Sequence, residues 1–233
     1  IRDRSPSRGL GDVYKRPIQI WSVLIARGQD LQDSLYNRAQ AYLVLRQFPL
    51  ALADLNQLQK LQQPAVRSNT LVLRGIVHNE TGNYQQALAD FDQALAIDRN
   101  PLVFSNRAIA YQRTGQLAKA EADLQAAVKA NSSQSNVYNL GAIQRLLNRY
   151  DLCIENAGKV IAANVTFAPA YTLRGMCLYS LGRYEPAIAE LLRGTTINRF
   201  QPDAYHYLGL SMMALKKSDQ ANQALLKGAD LYL

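Results

Sequence analysis

The sequence predicts an all-α protein, a solenoid of about six stacked helix–turn–helix units, and three observations predict it. Small residues recur at Ala39, Gly75, Ala108, Gly141, Gly175 and Gly209, in steps of 36, 33, 33, 34 and 34. A second series, Ala51, Ala87, Ala120, Cys153, Ala187 and Ala221, follows twelve residues behind with the same steps. Between them lie Arg46, Gly82, Gly115, Asn148, Gly182 and Lys216, a turn series in which Gly or Asn supplies the positive φ that ends a helix.

Taken in order, the chain opens on Arg2, Arg4, Arg8, Lys15 and Arg16, interspersed with Ser5, Pro6, Ser7, Gly9 and Gly11. Such a composition buries too little apolar area to offset the entropy of ordering, so residues 1–16 are expected to form a flexible basic arm. Residues 17–31, with Trp21, Leu24 and Ile25, are expected as an amphipathic helix covering the open face of the first repeat. The repeats then occupy 32–67, 68–100, 101–133, 134–167, 168–201 and 202–233. Each has a first helix with the small residue, a tight turn, and a second helix with an apolar stripe such as Ala87, Phe91, Ala94 and Ile97. A large residue stands two places after the turn at Phe48, Tyr84, Leu117, Tyr150 and Tyr184, with Ser218 the exception. Pro101, Pro169 and Pro202 open the next unit, where a missing amide donor costs nothing. The small residues of the two helices are expected to face each other, so that the backbones approach closely.

Inside this pattern, Arg38, Arg74, Arg107, Leu140, Arg174 and Leu208 stand one place before the small residue. Sixteen residues after each stand Asp54, Asp90, Asp123, Asn156, Glu190 and Ala224, so every arginine has an acid and neither leucine does. Each arginine is therefore expected to form a partly buried ion pair joining its two helices, a structural rather than a ligand-binding cation.

Period, glycine, aromatic and alanine places together resemble the tetratricopeptide repeat family, most clearly in LRGIVHNETGNYQQALADFDQALAID from Leu73. The resemblance covers residues 32–233 and is weaker at the ends, where Arg46, Lys216 and Ser218 depart from the pattern. The openings NRA and LRG resemble those of bacterial, cyanobacterial-like members. The resemblance implies a right-handed superhelix whose first helices line a concave groove that holds a protein or peptide segment. The groove places it implies include Asn79, Gln112, Arg113, Tyr138, Arg145 and Tyr179, which are expected to contact the partner. Some family members grip an acidic carboxyl terminus with lysines and asparagines. Asn37, Asn106 and Asn139 stand where such asparagines would, but the lysines are absent, so that partner is not expected.

Chemistry is poorly provided for. The two histidines are His78, at a place where Tyr42 and Tyr111 stand in neighbouring repeats and hence a packed side chain, and His206, which could reach a groove. Cys177 could come near His206, but no orienting acid or oxyanion hole accompanies them. Cys153 falls in the small-residue series and reads as a core thiol, and two cysteines without metal-ligand spacing exclude a disulfide framework. No catalytic residue, metal or cofactor is assigned, and no enzyme activity is expected.

The formal charge of +8 is concentrated near the start: residues 1–67 hold ten basic and five acidic side chains, the remaining 166 hold sixteen and thirteen. A helical-repeat RNA reader presents one regular set of polar residues per repeat, and the groove places show no such regularity. RNA binding is therefore the lesser alternative to a scaffold that assembles a protein complex. Another alternative is self-association, because Leu225, Leu226, Leu231, Tyr232 and Leu233 are expected to be exposed on the last helix unless a further helix follows. No apolar run is long enough to span a bilayer. Localisation stays open, with the cytoplasm favoured and the periplasm or an organelle as the alternatives.

Overall fold

The computed structural model describes residues 10–61, 68–98 and 101–231, and over these it contains thirteen α-helices and no strand. Two compact units, Ile1–Gly115 and Gln116–Leu233, divide within the third predicted repeat. The first holds α1 (Leu10–Ala26), α2 (Leu31–Val44), α3 (Phe48–Leu61), α4 (Ser68–Glu80), α5 (Tyr84–Ile97) and α6 (Pro101–Arg113). The second holds α7 (Leu117–Ala130), α8 (Gln134–Leu146), α9 (Tyr150–Ala163), α10 (Ala168–Ser180), α11 (Tyr184–Ile197), α12 (Pro202–Ala214) and α13 (Ser218–Asp230).

Within each unit, helices consecutive in sequence pack as antiparallel hairpins, and each hairpin stacks on the next. The first helices of successive hairpins also touch directly, α4 on α6 and α10 on both α8 and α12. Neighbouring stripes bury one another: Leu71, Ala87, Phe91, Ala94, Val103 and Ala110 form one core in the first unit, and Leu178, Ala187, Leu191, Ala204 and Leu208 another in the second.

All six residues of the turn series take positive φ, including Arg46 (57°) and Lys216 (59°) as well as Gly82 (77°). The place itself demands the left-handed conformation, because the amide that follows it, three residues past the helix, reaches back to close it. Asn83 N–H donates to the His78 carbonyl (2.8 Å) and Lys217 N–H to that of Met212 (2.9 Å), which satisfies carbonyls the helix leaves open.

The hairpins close more tightly than the small residues alone predict. The first-helix glycine faces not only the backbone of the second-helix alanine but also a large side chain sixteen residues on. A Cβ on Gly75 would meet the Phe91 ring at 2.6 Å, and one on Gly175 would meet Leu191 Cγ at 2.6 Å and the Ala187 carbonyl at 3.3 Å. Glycine thus provides the notch into which a core side chain fits.

The predicted arginines are riveted to their surroundings. Arg38 donates from Nε and Nη2 to both Asp54 oxygens (2.8 and 2.7 Å) and from Nη1 to Ser22 Oγ of α1 (2.9 Å). Arg74 grips Asp90 in the same two-point way (2.8 and 2.6 Å) and reaches Asn56 and Gln59 of α3 with its remaining nitrogen. Arg174 donates to Glu190 (2.6 Å), and Arg107 to Asp92 of α5 (2.6 Å). Arg107 and Asp123 belong to different units. The fourth hairpin, with Leu140 in place of arginine, substitutes a neutral contact, Asn156 Nδ2 to Gln144 Oε1 (2.7 Å).

Three expectations are corrected. The first helix begins at Leu10 rather than 17 and ends at Ala26, with Pro17 inside it, so Lys15 and Arg16 lie on a helix and not in an arm. Tyr14, Pro17, Ile18, Trp21 and Ile25 give it a half-buried stripe that begins at Tyr14, one turn ahead of the proline. The arm expected over residues 1–9 lies outside the described residues. On α13, Leu225 is half-buried over Gly209 and Leu231 packs on the core, which leaves Leu226 exposed at 67%; Tyr232 and Leu233 are not among the described residues. Finally, Cys153 and Cys177 are not thiols but the two halves of a disulfide between α9 and α10. Twenty-four residues separate them in sequence, and only the stacking of α10 on α9 brings them together.

Candidate functional site

First helices supply most of the lining of one cavity in each unit. In the first unit, Ile76, Asn79 and Glu80 of α4, Tyr84 of α5, and Asn106, Ile109 and Arg113 of α6 surround a cavity of about 220 Å³. Helical spacing puts Ile76, Asn79 and Glu80 on one face of α4, and Asn106, Ile109 and Arg113 on one face of α6. Asn79 Nδ2 donates to the Asn106 carbonyl (2.8 Å), which ties α4 to α6 and leaves Asn79 Oδ1 buried without a donor. Arg113 is exposed beside it and has no ion pair or side-chain hydrogen bond among the described residues.

In the second unit, Tyr138, Ala142 and Arg145 of α8 meet Pro169, Thr172, Leu173 and Met176 of α10 around a cavity of about 330 Å³. Phe200, Gln201, Pro202 and Asp203 close its far side from the segment that opens α12. Tyr138 stacks edge-on against Phe167 (5.4 Å between ring centres), and Thr172 Oγ1 donates to Gln201 Oε1 (2.8 Å), so the wall is built rather than loose. Burial pushes the Tyr138 hydroxyl above its ordinary pKa; Arg145 opposes that shift and Asp203 adds to it. The phenol therefore stays protonated and can both donate and accept. Arg145, half-buried, has no ion pair or side-chain hydrogen bond among the described residues.

Of the six residues expected to contact a partner, the structure brings Asn79 and Arg113 into one cavity and Tyr138 and Arg145 into the other. Gln112 is exposed and lines neither. Tyr179 packs against Tyr184 and Tyr207, at 5.7 and 5.4 Å. The register of the first helices could not reveal Phe200 and Gln201, which come from an inter-hairpin segment, and Asp203 joins them from the first turn of α12; the run Phe200–Gln201–Pro202, an exposed aromatic just before a helix-opening proline, was the available signal. A further cavity of about 520 Å³, lined by Ile18 of α1, Tyr42 and Leu50 among others, lies beside the first hairpin.

His78 is a packed side chain, its ring near Asp90 (Nε2 to Oδ2, 3.9 Å), with Nδ1 buried and unpartnered; burial lowers its pKa. Cys177, as a disulfide half, offers no nucleophile beside His206. Among the described residues, no cluster of His, Cys, Asp or Glu is placed to hold a metal, and no helix is long and apolar enough to cross a membrane.

Two models, each described as Tetratricopeptide repeat, match residues 36–101 and residues 103–134 with 168–201, together more than half of the chain. A curated relative, Superkiller complex protein 3 of Mus musculus, is 28% identical over 127 residues; these are 54% of this chain and 8% of the relative, so the chain spans a small fraction of that protein's length. Among solved structures, MamA from Desulfovibrio magneticus RS-1 aligns with TM-score 0.65 at 18% identity, over 73% of this chain and 96% of that one. YrrB, described as a TPR protein with an unusual peptide-binding site, aligns with TM-score 0.58 at 20% identity, over 70% and 84%. These likenesses share the fold.

Proposed function

We propose that this chain, which belongs to the tetratricopeptide repeat family, is a protein-interaction scaffold that holds partner polypeptide segments in the cavities lined by its first helices and so assembles a complex. The observation that carries this reading is the contrast among arginines on those helices. Arg38, Arg74 and Arg174 are tied to acids inside their own hairpins, whereas Arg113 and Arg145 stand at cavities with no ion pair among the described residues. An unpaired guanidinium on a wall with apolar and aromatic neighbours suits a carboxylate or carbonyl of an incoming peptide, with Ile109 or Met176 offering apolar contact. Asn79 Oδ1, buried and lacking a donor, suits a peptide N–H.

Affinity capture from the native source tests this, with the wild-type chain compared with Arg113→Glu and Arg145→Glu. Loss of the same captured protein, by roughly tenfold or more for at least one variant, is the expected result. Capture unchanged by both substitutions would place the partner on another face.

A further inference from the structure

We propose that the disulfide between Cys153 and Cys177 is a structural staple of the fourth hairpin to the fifth, and that the chain acquires this bond in an oxidising compartment. The chain has two cysteines, and the structure joins them, one on α9 and one on α10, both 0% exposed. Their places recur at other junctions as Ala51 with Val77, Ala87 with Ala110, and Ala187 with Ser211, all buried. The first two pairs share a core, as the cysteines do. Packing at such a junction is thus satisfied by residues without sulfur. Two cysteines at facing places, with Cα atoms 6.5 Å apart, supply instead what a covalent link needs.

The position of the link adds to the case. Among the described residues the fourth hairpin has no arginine–acid pair joining its own two helices, and the Asn156–Gln144 contact in its place is neutral. Between the fourth and fifth hairpins the ion pair is Arg183 to Asp151 (3.7 Å), both exposed, so the disulfide is the buried cross-link of that junction. It also bears on the cavity of the second unit, because α10 carries Cys177 on the turn that presents Leu173 and Met176 beside Tyr138 and Arg145.

Closing the bond takes one proton and one electron from each thiol, and a disulfide-bearing oxidant accepts both electrons and leaves as its dithiol. One thiolate attacks the oxidant's disulfide, and the second displaces the oxidant's sulfur from the mixed disulfide. With both sulfurs out of solvent, this exchange proceeds while α9 and α10 are parted, during folding, and the finished bond is shielded from reductant. Thiols of a reducing cytosol would remain open.

For the test, the chain is exported to an oxidising compartment, purified without reductant and denatured in iodoacetamide. Neither cysteine is expected to be alkylated until a phosphine reductant is added. Native hydrogen exchange is then compared for the oxidised chain, the reduced chain and Cys153→Ala, which installs the alanine of the other hairpins. Amides of α9 and α10 are expected to exchange roughly tenfold or more faster after reduction. Cys153→Ala should match the reduced chain and ignore reductant. Alkylation of both cysteines in the exported chain, or exchange in α9 and α10 that reduction leaves unchanged, overturns the proposal.

Discussion

Gly75 on α4 and Phe91 on α5 meet so closely that a methyl group on the glycine would lie 2.6 Å from ring atom Cε1. Phe91 is fully buried, so its ring has no open space to swing into. Gly75→Ala is therefore expected to cost about 1–3 kcal/mol in urea unfolding, because the hairpin must open to admit the methyl. The first hairpin accommodates Ala39 with Leu55 at the same places, both fully buried. Phe91→Leu should accordingly recover part of the loss, with a coupling of about 1 kcal/mol in a double-mutant cycle. Strict additivity would show that this contact does not set the helix separation.

The paired and unpaired arginines should separate in stability measurements. Asp90→Ala strands the Arg74 guanidinium, which keeps only its contacts to α3, and should destabilise by about 3–5 kcal/mol. Arg113→Ala removes no such partner and should stay within about 0.5 kcal/mol of wild type. Similar losses for both would contradict the division of these cations into structural and ligand-facing.

Arg46 and Lys216 hold a left-handed conformation at 57° and 59° that glycine adopts without steric cost. Arg46→Gly and Lys216→Gly should each raise stability by about 0.5–1 kcal/mol, the relief of Cβ strain net of glycine's greater freedom in the unfolded chain. A fall in melting temperature for either would mean that the side chain itself holds the turn.

His78 supplies a pH dependence whose sign follows from its lowered pKa. Burial favours the neutral ring in the fold, and nearby Arg74 adds to this while Asp90 works against it. The unfolded chain therefore takes up the proton first as pH falls below about 6.5. The stabilising contribution is full above that value and is lost as pH falls towards the folded pKa. His78→Tyr, which installs the residue of the neighbouring repeats, should flatten the decline in melting temperature between about pH 7 and pH 5. An unchanged slope would assign the decline to other groups.

Much of the fold was legible because it rests on residues at fixed intervals. The small residues, the turn places and the arginine–acid spacing each report one contact repeated down the chain, so a single sequence displays the contact several times. The first-helix register likewise found Asn79, Arg113, Tyr138 and Arg145, since residues on one face of one helix keep their company whatever lies around them. What escaped notice was not periodic. Phe200 and Gln201 reach their cavity from a connecting segment, Leu10 to Arg16 join a helix through a stripe that runs across a proline, and Cys153 meets Cys177 because two different register places face each other across a junction.

The central claim is that a partner polypeptide lies against the first helices. Photo-crosslinking side chains placed at Ile109 and Met176, and for comparison at the exposed second-helix residues Leu152 and Leu192, test it most directly in the captured complex. Crosslinks to the partner from Ile109 or Met176, and none from Leu152 or Leu192, are the predicted result. Crosslinks from the second-helix sites alone would contradict it.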